Sequence, residues 1–373
     1  MTMIERVETG LIHRNPKPHL RSEQAYFPSV ARYPDGEMVA AFGVGSAFES
    51  VDAHTRLARS FDGGRSWATE APLYEERDDP PTSWNVRISL MPEGELVAVG
   101  ARWDRSRTEM GLVNSETFGF VPTELILLRS EDRGHTWQGP YVIEPPLEGP
   151  SFEVCHPVKP LRDGRWLWPT ATWTGWDGYS PNGMKAIVLV SYDRGDTWPE
   201  YVDVMDGTDD DIVYWEQKVV ELDGSRLMAV CWTHDRSRDE DLPVHFAISE
   251  DCGRSFGPPK STGLRGQTTT PLYLGHGRVL SIYRRTDHAG LWADLSSVDG
   301  ETWVSEAEAP LWGADGRQSD RRQEGMSLSE EMSSLRFGLP LALKLPDGHI
   351  FVAFWCVEDC ISVIRWFRLA IHE

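Results

Sequence analysis

The chain has 373 residues, a net charge of −21, 40% apolar and 25% charged residues, and an unusual 16 Trp, 33 Gly and 25 Pro. A surface this acidic repels phosphate backbones and anionic lipid headgroups, which argues against nucleic acid and membrane surfaces as partners. No apolar run reaches membrane-spanning length, the N-terminal MTMIERVETGLIHRNPKP lacks a signal-type apolar core, and five widely spaced cysteines imply no disulfide framework, so a cytoplasmic, reduced protein is expected.

In chain order, IERVETGLIHR (4–14) reads as a strand standing before any repeat. A turn-plus-strand unit then appears six times: YPDGEMVAAF (33–42), MPEGELVAVG (91–100), LRDGRWLWPT (161–170), LDGSRLMAVCW (222–232), LGHGRVLSIY (274–283) and LPDGHIFVAF (345–354). Each follows another short apolar strand, and the glycine supplies the positive φ that a hairpin turn requires. A second pattern follows each of the first five hairpins: SFDGGRSW (60–67), SEDRGHTW (130–137), SYDRGDTW (191–198), SEDCGRSF (249–256) and the shortened SVDGETW (297–303). In these Asp boxes the Asp accepts backbone N–H bonds within a turn, Gly takes the left-handed position, and the aromatic residue folds back as an apolar plug. They lack the further carboxylates that calcium loops would need, so they are read as structural.

Successive box aspartates lie 48 to 70 residues apart, which fits four strands and their loops. The expected fold is an all-β, six-bladed β-propeller with four-stranded antiparallel blades, in one domain spanning 1–373. The sixth blade, from about Leu339 to ISVIRWFRLAI (361–371), lacks a box and a fourth strand. The N-terminal strand is expected to supply that strand and close the ring.

In such a ring the hairpin turns and boxes share one face. The starts of the inner strands and the second-to-third-strand loops converge on the axis at the other, where a site is expected. Blade one offers Tyr26, Phe27, Glu49, Asp52 and His54 there; blade two offers Trp84, Asn85, Arg87, Arg102 and Asp104. Blade three offers Glu153, His156, Trp173, Trp176 and Asp177; blade four offers Trp215, Glu216, Trp232, His234 and Asp235. Blade five offers Gln267, Thr268, Arg284, Arg285 and Asp287; blade six offers Arg336, Phe337, Trp355 and Glu358. Carboxylates from opposite blades suit acid/base work on a bound sugar, arginines suit an anionic group, and tryptophans suit pyranose faces.

Five Asp boxes on a six-bladed reading resemble the sialidase superfamily over nearly the whole chain. That resemblance implies three arginines for a substrate carboxylate, a Tyr–Glu pair as nucleophile, and an acid/base Asp. EQKVVEL (216–222) resembles the segment that bears the Glu, which points to Glu216, and the loop that bears the acid/base residue points to Asp52 or Glu49. Tyr26 stands where the first arginine is expected, Trp232 where the second is, and Phe337, beside Arg336, where the nucleophilic Tyr is. The chain thus departs from the ordinary sialidase pattern. The resulting expectation is a glycosidase acting on a small carbohydrate, acidic or neutral, with Glu216, Glu49, Asp52, Tyr26 and His156 as catalytic candidates. Arg87, Arg102, Trp173, Trp232, Gln267, Arg284, Arg285, Arg336 and Phe337 are the substrate-binding candidates. No cofactor or metal is expected. Lyase chemistry on a uronate through His156 or Tyr26, and a non-catalytic glycan- or protein-binding propeller, are the alternatives.

Overall fold

The computed structural model describes residues 2–74, 81–315 and 334–372. Its strands form six antiparallel sheets. The chain opens with β1 (Met3–His13). Blade one is β2 (Gln24–Arg32), β3 (Met38–Gly45), β4 (His54–Ser60) and β5 (Ala68–Pro72). Blade two is β6 (Thr82–Leu90), β7 (Leu96–Asp104), β8 (Thr123–Ser130) and β9 (Gln138–Ile143). In blade three the inner strand is split into β10 (Ser151–Glu153) and β11 (Lys159–Pro160), both paired with β12 (Trp166–Trp173), followed by β13 (Ala186–Ser191) and β14 (Glu200–Met205). Pro157 and Pro160, which cannot donate to a ladder, fall at and after the break.

Blade four is β15 (Ile212–Glu221), β16 (Leu227–Asp235), β17 (Glu240–Ser249) and β18 (Lys260–Ser261). Blade five is β19 (Gly266–Gly275), β20 (Arg278–Arg285), β21 (Leu291–Val298) and β22 (Trp303–Trp312). Blade six is β23 (Phe337–Lys344), β24 (Ile350–Glu358) and β25 (Ile361–His372), and its fourth strand is β1. The register runs from Met3 opposite His372 to His13 opposite Ile364, so the ring is closed by the N-terminal strand as the sequence predicts. Gly10 is where this pairing needs a bare backbone: a Cβ there would sit 2.7 Å from the Trp366 indole nitrogen.

The core lies between blades. Val39, Ala41 and Leu57 of blade one pack on Trp84, Val86 and Ile88 of blade two, and the same layering recurs around the ring. Each complete Asp box is a self-bonded turn. In the first, the Gly64 amide donates to Ser60 Oγ, the Ser66 amide and hydroxyl donate to Asp62, and Trp67 Nε1 donates to the Gly64 carbonyl. In the second, donation from the Thr136 hydroxyl and amide holds the Asp132 carboxyl down at about 2.

The boxes also join blades. The residue between the box Asp and Gly adopts positive φ (70° at Gly63, 63° at Arg133, 64° at Arg194, 60° at Cys252), turning its carbonyl toward the neighbouring blade. There it accepts from an arginine: Arg368 to Gly63 (2.7 Å), Arg59 to Arg133 (3.0 Å), Arg129 to Arg194 (2.6 Å) and Arg165 to Cys252 (2.5 Å). Arg59 is buried, and it also bonds Glu37 and, at 2.7 Å, Glu70. Replacing Arg59 by Met leaves the buried Glu37 carboxylate with less compensation, and a loss of about 3 kcal/mol is expected. A denaturant midpoint unchanged from wild type would show that the arginine clasp carries little of the blade contact.

Candidate active site on the propeller axis

Four inner strands share one irregularity. The β2, β15, β19 and β23 ladders each skip register at a bulge, and the bulged residues Phe27, Glu216, Thr268 and Leu339 have φ of 55°, 47°, 50° and 43°. Such conformations cost about 1–3 kcal/mol each for non-glycine residues and persist where surrounding contacts over-determine them. Those contacts are visible. Arg87 donates to the carbonyl of Phe27 (2.9 Å), Glu153 accepts from the amide of Glu216 (3.2 Å), and Thr268 Oγ1 accepts from the amide of Leu339 (3.0 Å). Arg284 donates to the carbonyl of Phe337 (2.9 Å), just before the last bulge. Groups displaced from the ladders are thus met by side chains of neighbouring blades.

The four bulged residues surround an axial cavity of about 160 Å³. Among the described residues its charged lining is Glu49, Arg87, Glu153, Glu216 and Arg284. Much of the remaining wall is aromatic: Tyr26, Phe27, Phe48 and Trp355 contact one another at ring-centroid distances of 5.0–6.0 Å. Burial pushes the Glu49 carboxyl up, against the opposing effect of the Leu112 amide, which donates to Oε2 at 3.1 Å. Burial, and then the neighbouring Glu216 carboxylate, push Glu153 up as well. Glu216 is half-buried, and its Oε2 is shielded from solvent without a hydrogen-bond partner.

The structure brings Glu216, Glu49, Tyr26, Arg87 and Arg284 to this cavity. Burial pushes the Tyr26 phenol up to about 12. The other candidates lie elsewhere. Asp52 is exposed and caps its own loop, accepting from the Ser46 amide at 3.0 Å. His156 falls in the break between β10 and β11; its Nδ1 is 2.5 Å from the Pro157 carbonyl oxygen, and burial and then the Lys218 charge push it down to about 3. Arg102 pairs with Glu124 at 2.5 Å, and Arg285 pairs with Asp287 at 2.7 Å and lies over Trp292. Trp173 stacks on Trp215 at 5.1 Å beside a separate cleft, and its Nε1 donates to the Phe118 carbonyl.

Trp232 is fully buried, with Nε1 donating to Asp241 at 2.7 Å. Gln267 donates to the same Asp241 and accepts from Arg284 Nε, so a polar chain links blade four to the Phe337 carbonyl of blade six. Phe337 is buried in the core between blades five and six, and both it and Arg336 lie outside the lining.

Two groups of lining residues escape the sequence reading. Glu153 stands at an expected position but is passed over for His156; Pro157, which falls in the break of the inner strand, is the signal that only one of them reaches the axis. Leu112, Val113 and Phe120 come from the long loop between β7 and β8, whose Asn114 and Thr117 donate to the Trp176 carbonyl of blade three. No periodicity marks that loop. Among the described residues no helix is long and apolar enough to cross a membrane.

Comparison with known proteins follows this geometry. Residues 36–307 match the model of the BNR repeat-like domain. A protein of unknown function from Dyadobacter fermentans superposes with a TM-score of 0.73 at 22% identity, covering 99% of each chain. The NanB sialidase from Streptococcus pneumoniae gives 0.64 at 12% identity, covering 98% of this chain and 70% of that one. Trypanosoma rangeli sialidase gives 0.63 at 13%, covering 98% and 59%. At these identities the likeness shows a sialidase-like β-propeller fold. No curated protein matches the sequence.

Proposed function

The chain belongs to the BNR repeat-like family, and on that premise we propose that it is a carbohydrate-active enzyme, a glycoside hydrolase working on a small sugar in the axial cavity. The observation that carries this reading is that Glu216 of blade four and Glu49 of blade one line one axial cavity, Glu49 accepting from the Leu112 amide and Glu216 Oε2 left without a donor. A pair of carboxyl groups, one to give and one to take a proton, is what hydrolysis of a glycosidic bond requires. Glu49, pushed toward its protonated form, gives its proton to the leaving oxygen as the C–O bond breaks. Glu216 takes a proton from the water whose oxygen bonds to the anomeric carbon. Glu153 holds the Glu216 amide, and Arg105 donates to the Glu49 carbonyl at 3.0 Å, so the backbone that presents each group is fixed.

Lyase chemistry lacks comparable support, because His156 is off the cavity and Tyr26 is pushed away from ionisation. The test is a panel of aryl glycosides with wild type and Glu49→Gln. The Gln variant is expected to lose about 10²- to 10⁴-fold in kcat/KM and to lose the alkaline limb of the pH profile. Binding of sugars without turnover of any panel member would leave a glycan-binding propeller instead.

A further inference from the structure

The cavity also bears on the kind of sugar it admits. From its charge, wall and size we infer that it takes one neutral pyranose ring with an apolar exocyclic substituent, a 6-deoxyhexose, and excludes carboxylated sugars. The inference rests on the glycosidase reading only for its kinetic arm.

Three carboxyl groups, Glu49, Glu153 and Glu216, face two guanidinium groups, Arg87 and Arg284. Both arginines already hold neighbouring groups, and only Arg87 Nε among the Arg87 and Arg284 donors is buried without a partner. Arg87 Nη1 donates to the Phe27 carbonyl and to Asn85 Oδ1 at 2.8 Å, and Arg284 donates through Nε to Gln267 and through Nη1 to the Phe337 carbonyl. Each guanidinium also lies over an aromatic ring, Arg87 over Phe27 at 5.6 Å and Arg284 over Trp232 at 5.7 Å. The nearby Lys218 ammonium donates to the Cys155 carbonyl at 2.8 Å. A carboxylated ligand would set a further carboxyl group beside Glu49, Glu153 and Glu216 without a two-pronged guanidinium fork committed to it, and an unpaired buried charge is costly.

What the lining leaves unpartnered is mostly neutral. The indole Nε1 atoms of Trp103, Trp215 and Trp355 are buried without acceptors, as is Arg87 Nε, and Glu216 Oε2 is a buried acceptor without a donor. Single indole N–H donors suit sugar hydroxyl oxygens, and Glu216 suits a sugar hydroxyl hydrogen. Around them Phe48, Phe120, Leu335 and Leu339 offer apolar contact, which rewards a methyl group and penalises a hydroxymethyl. The cavity measures about 160 Å³. A cavity of about 150 Å³ holds benzene, so there is room here for one six-membered ring.

The test uses matched sets: the 6-deoxy, parent and 6-carboxylate forms of galactose, glucose and mannose, as free sugars in calorimetry and as aryl glycosides in kinetics. In the best-accepted series the 6-deoxy member is expected to bind about 10-fold or more tighter than the parent and about 100-fold tighter than the uronate, with kcat/KM in the same order. Equal or tighter binding of the uronate overturns the inference, as does binding by none of the free sugars. Tight binding of the deoxy sugar with no hydrolysis of its glycoside upholds the inference and sinks the glycosidase reading, so the two failures are distinguishable.

Discussion

Deletion of residues 1–13 is expected to yield a chain that does not complete its ring and is largely unfolded or insoluble. The strand β1 contributes the whole outer edge of blade six, pairing with β25 from Met3 to His13. At roughly 1 kcal/mol for each ladder hydrogen bond and about 2 kcal/mol each for the buried Ile4 and Ile12, its removal rivals a whole domain's margin of about 5–15 kcal/mol. It also strips ties to both flanking blades. Arg6 donates to the Leu311 carbonyl of blade five at 2.7 Å, Glu8 pairs with Arg65 of blade one at 3.0 Å, and His13 bonds Thr69 of β5 at 3.0 Å. The exposed β25 edge would then present Trp366 and Phe367 beside unpaired backbone groups, an open invitation to strand addition. Circular dichroism and gel filtration of the truncated chain test this, with a synthetic peptide of residues 2–13 added back in trans. A soluble truncated chain of native melting temperature would show that the ring holds without its fourth strand.

The second large effect concerns Glu216→Gln, which is expected to lower kcat on the best panel substrate by about 10³-fold while leaving KM and thermal stability near wild type. The substitution keeps the shape of the side chain. It also keeps the backbone amide that donates to Glu153, so the left-handed bulge stays latched. What is lost is the capacity to accept a proton. Glu153→Leu, by contrast, removes the latch and is expected to lower both activity and stability. Full activity in Glu216→Gln would remove Glu216 from the chemistry, and equal loss of stability in both variants would reduce it to a structural role.

The propeller was legible because its turns impose strict residue requirements. Hairpins at positive φ call for Gly36, Gly94, Gly164 and Gly348, and a self-bonded turn calls for Ser60, Asp62 and Gly64 in fixed order. The ring closure was legible because one strand preceded the first blade and one blade lacked a strand. The site was legible only in part. The axial bulges place ordinary residues such as Phe27, Glu216 and Leu339 at positive φ, and nothing in those side chains announces it. The arginines were expected to present forks to a ligand. In the fold Arg87 and Arg284 spend donors on main-chain carbonyls, and residue type alone does not distinguish a carbonyl partner from a substrate. Glu153 and His156, three apart, compete for one axial position, and only the backbone path around Pro157 decides which of them reaches the cavity.

The arginine clasps on the box face have a wider consequence. Each reads a main-chain oxygen, and the residue supplying it is Gly63, Arg133, Arg194 or Cys252 without change in the bond. A joint of this kind is blind to side-chain identity. It lets the sequence of one module drift while its fit to the next is preserved, so a gene built by duplication can diversify its blades singly, and the axial lining can be rewritten without renegotiating the perimeter.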